Sequence, residues 1–289
     1  MKKLLTALLA LVLVAGCTSS NTATETATTA PAEEDKTIVV GATLVPHAQV
    51  LKDVVKDVLA EDGWTLEIVE FNDYVQPNAQ LDAGDLDANY YQTLGYMNNA
   101  NESNGFSLVA VAGVHIEPMG IYSAKIDDIA ALEDGADIAV PNDADNEDRA
   151  LRFLIAQGLL NEPETEELLM AKDFNDNADT NPKGYVITEL AAENLPRSLE
   201  DVTVAVINGN YALEAGLPET NPALTIEIFN EETTIARTNF LVAREDNKDT
   251  DKIKALVAAM QSEAVQTYID ETYKGSVITS FIDSEGNAQ

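Results

Sequence analysis

The chain has 289 residues, with 17 Lys and Arg against 50 Asp and Glu, a formal charge of −33, two histidines and a single cysteine. A chain this acidic excludes nucleic acid as a partner, because binding it requires neutralising phosphates with Lys and Arg, and one cysteine excludes an internal disulfide. The acidic excess favours solubility, and adaptation to high salt is one hypothesis for its size.

Met1-Lys2-Lys3 supplies a positive start, and Leu4 to Ala15 follows as an apolar stretch too short to span a bilayer comfortably. This pattern predicts a cleaved signal peptide over residues 1–16. Leu13-Val14-Ala15-Gly16-Cys17 sets small residues ahead of the cysteine and resembles the lipobox of bacterial lipoproteins. Cys17 is therefore expected to carry lipid and become the N terminus; the alternative is a buried thiol in an uncleaved helix. Two or three acyl chains hold a soluble domain at a membrane where one does so only marginally. The expected location is the cell membrane, lipid-anchored on the extracytoplasmic face. Residues 17–36 contain too few large apolar side chains to offset the entropy of ordering and read as a flexible linker. Loss of Lys2 and Lys3 with the signal peptide takes the charge from −33 to −35.

About 250 residues remain, enough for one large or two ordinary α/β domains. Thr37 to Ala42 predicts a strand, His47 to Glu61 carries apolar residues at helical spacing, and Thr65 to Phe71 alternates as a strand. A helix over Gln76 to Ala83 and a buried strand over Phe106 to Val114 follow. The rhythm restarts with a strand at Ala136 to Val140, a helix opened by Asn146 and closed by Gly158 and Pro163, and a strand at Thr203 to Ile207. Asn239 to Arg244 predicts a strand, Asp251 to Gln261 and Ser262 to Lys274 predict helices, and Asp283 to Gln289 a frayed tail. This alternation implies an α/β fold with mostly parallel sheet. Crossing points near Glu117 to Ser123 and Glu231 to Thr238 divide it into two lobes, residues 37–120 with 236–289, and residues 121–235.

Several strings in family order resemble the NlpA family of lipoproteins: Phe71-Asn72-Asp73-Tyr74-Val75, Gly84-Asp85-Leu86-Asp87-Ala88-Asn89, Ala139-Val140-Pro141-Asn142-Asp143, Leu195-Pro196-Arg197-Ser198-Leu199, Ala205-Val206-Ile207-Asn208 and Arg244-Glu245-Asp246-Asn247. The resemblance spans essentially the whole mature domain. It implies a periplasmic-binding-protein type 2 fold, in which two α/β lobes joined by crossover strands hold a ligand in the cleft between them. It also implies methionine as ligand, the L form first, and as partners an ABC permease and its ATPase. The chain has no Walker loop of its own.

A free amino acid brings a carboxylate, an ammonium and a side chain, so its receptor needs a cation, oxygen acceptors and a pocket of matching polarity. Arg149, placed in the first turn of the helix opened by Asn146, itself a candidate ligand-binding residue, suits the carboxylate, where a guanidinium fork and open backbone N–H groups face one anion. The alternative is a surface ion pair with Asp145, Glu147 or Asp148, and the resemblance favours the ligand role. Asn208 and Asn239 end or precede strands at the expected cleft edge and offer amide oxygens to an ammonium; the alternative is a turn asparagine bonding its own backbone. The resemblance puts Tyr74, Tyr91 and Tyr96 in the side-chain pocket, where aromatic rings suit a thioether, while Tyr90 points the other way into the core. Met119, beside the first crossover, either touches the cleft or packs in the core. Relatives commonly carry a histidine at Thr93, and Pro-Thr and Gly where this chain has Ala144, Asp145 and Asp148, so D-methionine, a methionine-containing dipeptide and another apolar amino acid remain alternatives.

Hydrolytic and redox enzymes fit poorly, since only His47 and His115 are available as bases and no Gly-x-Ser-x-Gly elbow exists. No cofactor is expected. A zinc or manganese receptor is the third class, but such sites are usually histidine-rich. Two histidines far apart in sequence, one expected at a partly exposed helix entry and the other structural, argue against it.

Overall fold

The computed structural model describes residues 35–165 and 167–289, which form two mixed sheets. The predicted signal peptide, Cys17 and nearly all of the linker lie outside the described residues. Among those described, no helix is long and apolar enough to cross a membrane.

The first sheet has six strands, in the spatial order 278–282, 108–116, 238–244, 88–92, 37–43 and 65–71. In chain order its early elements are β1 (Thr37–Thr43), a helical stretch from Leu44 that runs into α1 (Lys56–Glu61), β2 (Thr65–Phe71), α2 (Gln76–Ala83), β3 (Ala88–Gln92), α3 (Leu94–Asn104) and β4 (Leu108–Ile116). In β1, Ile38, Val40 and Ala42 enter one core while Val39 packs into another. Both faces of the strand are covered, which is why it reads as an apolar run and not as an alternation.

The second sheet takes the order β7-β6-β8-β5-β9. Its elements are β5 (Gly120–Tyr122), β6 (Asp137–Pro141), α4 (Ala144–Ala156), β7 (Val186–Leu190), α5 (Leu195–Ser198), β8 (Val204–Ile207), α6 (Gly209–Glu214), α7 (Leu217–Thr220) and β9 (Thr225–Ile226). Val204 and Val206 of β8 face one core while Ala205 and Ile207 face the other. The chain then returns through α8 (Glu231–Arg237) to β10 (Thr238–Arg244), α9 (Asp251–Met260), α10 (Glu263–Tyr273) and β11 (Ile278–Ile282) in the first sheet. Thr250 and Ser262 cap α9 and α10 by accepting from Ile253 N and Val265 N. The apolar stripe of these two helices, from Ile253 and Leu256 to Val265 and Ile269, closes one face of the first sheet.

Two expectations change. The sheets are mixed: β1 runs parallel to β2 and β3, but β10 is antiparallel to both β3 and β4, and β5 is antiparallel to β8 and β9. The antiparallel strands include those entered from the crossovers, which reverse the chain direction. The C-terminal residues are not frayed. Asp283 accepts from the backbone N–H groups of Glu285 and Asn287, both at 2.9 Å, and Gln289 N returns to Phe281 O at 3.1 Å.

Candidate functional site

Between the two sheets lies a cavity with about 360 Å³ of unfilled space, part of it open to solvent. The first lobe contributes Tyr74, Tyr91, Gln92, Thr93, Tyr96, Glu117 and Asn239; the second contributes Asn146, Arg149, Asn208, Gly209 and Asn210. Seven of the eight residues picked out from the sequence therefore meet at one place. Met119 does not: it immediately precedes β5 and is fully buried in the core of the second sheet with Ile121, Ile138 and Val140.

The start of α4 builds the cationic side. Asp143 caps the helix, its Oδ1 accepting from Asn146 N at 3.0 Å and Asn146 Nδ2 at 2.8 Å. The helix thus begins at Ala144, two residues before the start read from sequence, and Arg149 stands in the second turn. Its guanidinium, and not open backbone N–H groups, faces the cavity. Nor is Arg149 a surface residue paired with neighbouring acids. It is 5% exposed, and its Nε and Nη2 bind Glu227, at 3.0 Å and 2.6 Å to Oε2. Nη2 also donates to the Glu117 backbone carbonyl at 2.9 Å. Among the described residues Nη1 has no hydrogen-bond partner, so one end of the fork is left for another acceptor. Asp145 instead accepts from Thr93 at 3.0 Å, Glu147 from Ala171 N at 2.6 Å, and Asp148 from Arg152.

Glu227 is pinned from several sides. Arg237 Nε lies 3.1 Å from its Oε1, the Met119 N–H donates to Oε2 at 3.2 Å, and Glu227 N donates to Met119 O at 2.9 Å. The flanking guanidinium of Arg149 and its hydrogen bond overcome the upward push of burial and hold the Glu227 carboxyl below the usual range.

Asparagine amides line the next part of the cavity. Asn208 donates its Nδ2 to Asn146 Oδ1 at 2.7 Å, which leaves Asn208 Oδ1 buried without a donor. Asn210 accepts from the Tyr74 hydroxyl at 2.6 Å, and its own Nδ2 is buried without an acceptor. Asn239 reaches the cavity, but its Oδ1 already faces His47 Nε2 at 3.2 Å, so the group left to it is Nδ2. The opposite amide, Gln92, is fully engaged with Asn78 and Asn89.

The aromatic wall is tighter than the sequence suggests. Tyr91 and Tyr96 hydroxyls both donate to the Tyr74 carbonyl at 2.9 Å. The Tyr74 ring sits 5.7 Å from Tyr91, 5.6 Å from Tyr96 and 4.9 Å from Tyr211, a fourth ring supplied by the second lobe. Burial pushes the Tyr74 and Tyr91 hydroxyls well above their usual range, so they act as donors. Thr93 Oγ1, besides capping α3, donates across the cleft to Asp145 Oδ2 at 3.0 Å. A Cβ on Gly95 would lie 1.9 Å from Asp145 Oδ1, so glycine is needed for this approach.

The histidines also depart from expectation. His47 and His115 are 1% and 0% exposed, and with Glu117 they form a cluster whose ligating atoms lie within 4.8 Å of one another. They meet because β10 is the sole strand between β3 and β4, which brings the start of the first helical stretch over the end of β4. Burial pushes His47 down to about 4 and His115 down to about 3, so both are neutral. Sequence reasoning missed Glu117, Asn210, Tyr211 and Glu227. Glu117 and Tyr211 stand beside Pro118 and Asn210 in the strings Ile116-Glu117-Pro118-Met119 and Asn208-Gly209-Asn210-Tyr211, but only Glu117's place at a crossover signals anything about it.

The sequence pattern of the family described as NlpA lipoprotein matches residues 38–281. A Pasteurella multocida protein named "Probable D-methionine-binding lipoprotein MetQ" is 36% identical over 276 residues, 95% of this chain and 96% of that protein. The Escherichia coli "D-methionine-binding lipoprotein MetQ" is 38% identical over 234 residues, 80% of this chain and 82% of its own length. Among solved structures, a nutrient binding protein from Burkholderia cenocepacia bound to methionine superposes with a TM-score of 0.78 at 40% identity, covering 84% of this chain and all of that one.

Proposed function

The chain belongs to the NlpA lipoprotein family, and from that membership we propose that it captures methionine and delivers it to an ABC importer. It is a solute-binding protein and not an enzyme, in line with relatives named for methionine binding. The observation that carries the reading is the convergence, in one cavity between the lobes, of a buried guanidinium with an unpaired end, unpaired amide groups, and three tyrosine rings backed by a fourth, Tyr211.

In this reading Arg149 Nη1 meets the ligand carboxylate, with Asn239 Nδ2 as a second donor. Asn208 Oδ1 accepts from the ammonium, held in place by its bond to Asn146. Tyr74, Tyr91 and Tyr96 enclose the thioether, which gains modestly from aromatic contact. The lobes comprise residues 37–120 with 236–289, and residues 121–235. The chain is a membrane-associated lipoprotein like its relatives. Lipid on Cys17 anchors it to the extracytoplasmic face, and a permease with its ATPase receives the ligand.

A thermal-shift panel of L-methionine, D-methionine, a methionine-containing dipeptide, leucine and zinc tests this, since a ligand that binds only the folded state adds about 2.7 kcal/mol at 100 times its Kd. Methionine is expected to raise Tm. Stabilisation by leucine or zinc with none by either methionine enantiomer would sink the proposal.

A further inference from the structure

We infer that Glu117 is the residue that receives the ligand's ammonium group, its carboxylate acting together with Asn208 Oδ1; the inference rests on the amino-acid-binding reading above. Glu117 is 5% exposed and lines the cavity at the first crossover. The second lobe packs directly on it: a Cβ on Gly209 would lie 2.7 Å from Glu117 Cβ.

The hydrogen-bond directions around Glu117 give its carboxylate donors but no bonded cation, and burial pushes the carboxyl above its usual range, which His47, Arg149 and the Asn210 backbone only partly offset. His47 Nε2 faces both Asn239 Oδ1 and Glu117 Oε1, at 3.2 Å and 3.3 Å. Both are acceptors, so Nε2 carries the proton and Nδ1 accepts from the Thr43 hydroxyl at 2.8 Å. His115 takes the Tyr90 hydroxyl at Nδ1 and directs Nε2 to the same Glu117 oxygen at 2.6 Å. Two neutral imidazoles thus donate N–H groups to one carboxylate oxygen, orienting the anion without cancelling it. Arg149 acts on this carboxylate through its field but makes no hydrogen bond to it: its hydrogen bonds go to the Glu227 carboxylate and to the backbone carbonyl of Glu117. Among the described residues no Lys or Arg nitrogen pairs with the Glu117 carboxylate. A buried anion without a bonded cation is costly, and an ammonium placed in the cavity supplies one, with a further N–H for the unpaired Asn208 Oδ1. One cation and one anion face the same cavity, so the site matches a neutral zwitterion and not a simple carboxylic acid.

His47, His115 and Glu117 also have the donor set for a divalent metal ion, but metal binding would require both Nε2 atoms to lose their protons, against the bonds that Asn239 and Tyr90 make.

The test compares methionine with 4-(methylsulfanyl)butanoate, which keeps the carboxylate and thioether and lacks the amine. Calorimetry is run on the wild-type chain and on Glu117→Gln. The wild type is expected to prefer methionine by at least about thirtyfold, and Glu117→Gln to lose methionine affinity by a similar factor while binding the deaminated analogue as well as or better than wild type does. Equal losses for both ligands, or no change for either, overturn the inference. Should the variant fail to fold, wild type alone decides: equal affinity for the two ligands means no ammonium site. Stabilisation by zinc chloride that Glu117→Gln abolishes overturns it in favour of a metal site. A wild type that binds no methionine overturns the amino-acid reading itself, whereas methionine binding without this discrimination overturns only the role of Glu117.

Discussion

On the cavity wall that comes from the six-stranded sheet, polar side chains bond mostly within their own lobe: Gln92 with Asn78 and Asn89, His47 with Thr43 and Asn239, Tyr91 and Tyr96 with the Tyr74 carbonyl. On the wall from the five-stranded sheet, Asn208 Oδ1 and Asn210 Nδ2 are buried with no partner. The first wall's amides and hydroxyls are mostly paired before ligand arrives, with the Glu117 carboxylate lacking a bonded cation, whereas two buried amide groups of the second wall have no partner at all. Each unpaired buried amide group costs about 1–3 kcal/mol, a cost that a bound zwitterion relieves. Preformed side-chain hydrogen bonding is therefore concentrated on the first wall and unpaired buried amide groups on the second.

The strongest challenge to this division is Arg149→Ala. Removing a charge-assisted contact from a largely desolvated site is expected to lower methionine affinity by about 2–5 kcal/mol, well over tenfold. Unchanged affinity by calorimetry would place the ligand carboxylate elsewhere.

The first wall carries an acid-sensitive element. The folded-state pKa of His47 lies at about 4, chiefly through burial, against 6.5 when unfolded. The unfolded chain therefore takes up a proton first, and the stability conferred by the neutral ring is present above pH 6.5 and lost as pH falls toward 4. Between pH 7.5 and 4.5, urea denaturation is expected to show wild type losing roughly 2–3 kcal/mol more than His47→Gln. Parallel losses would mean that the ring is not held neutral.

A matched pair of substitutions sharpens the contrast. Asn89→Ala, which breaks the internal amide network, is expected to cost about 1–3 kcal/mol of fold stability. Asn208→Ala is expected to leave the stability of the ligand-free protein nearly unchanged, since it deletes an unpaired acceptor along with one donor, and to weaken methionine binding by about 1–2 kcal/mol. If both act alike on stability, the two walls are not different in kind. The smallest effect is expected from Tyr74→Phe, which loses the bond to Asn210 and should cost about 0.5–1.5 kcal/mol of affinity.

Much of this was legible in the chain itself. Thr65 to Phe71 alternates and forms β2 over those same residues, and Gln76 to Ala83 forms α2 likewise. Arg149 stands out because it is a cation among acids, and Tyr74 because it falls in a family string. What was illegible depends on long-range pairing. Glu227 lies 78 residues beyond its partner Arg149, and β9, the two-residue strand that positions it, is too short to show a period. Strand β3 reads Ala-Asn-Tyr-Tyr-Gln and is buried throughout; its polar residues are inside because they bond one another, which no alternation rule reveals. His47 and His115 seemed remote because their meeting depends on strand order, set by a strand that returns from the other lobe.

The clamp on Arg149 has a mechanical consequence. One partner, the Glu117 carbonyl, belongs to the first crossover, and the other, the Glu227 carboxylate, lies 3.1 Å from Arg237 Nε in the second, the segments about which the proposed lobes would swing. A ligand pulling on that guanidinium pulls at the pivot, where a force has almost no lever arm. Carboxylate recognition then selects the solute without turning the lobes. If the proposed lobes close on a ligand, the torque would then come from contacts such as Tyr74 with Asn210, Thr93 with Asp145 and Tyr211 with the Asn72 carbonyl, which involve no crossover residue.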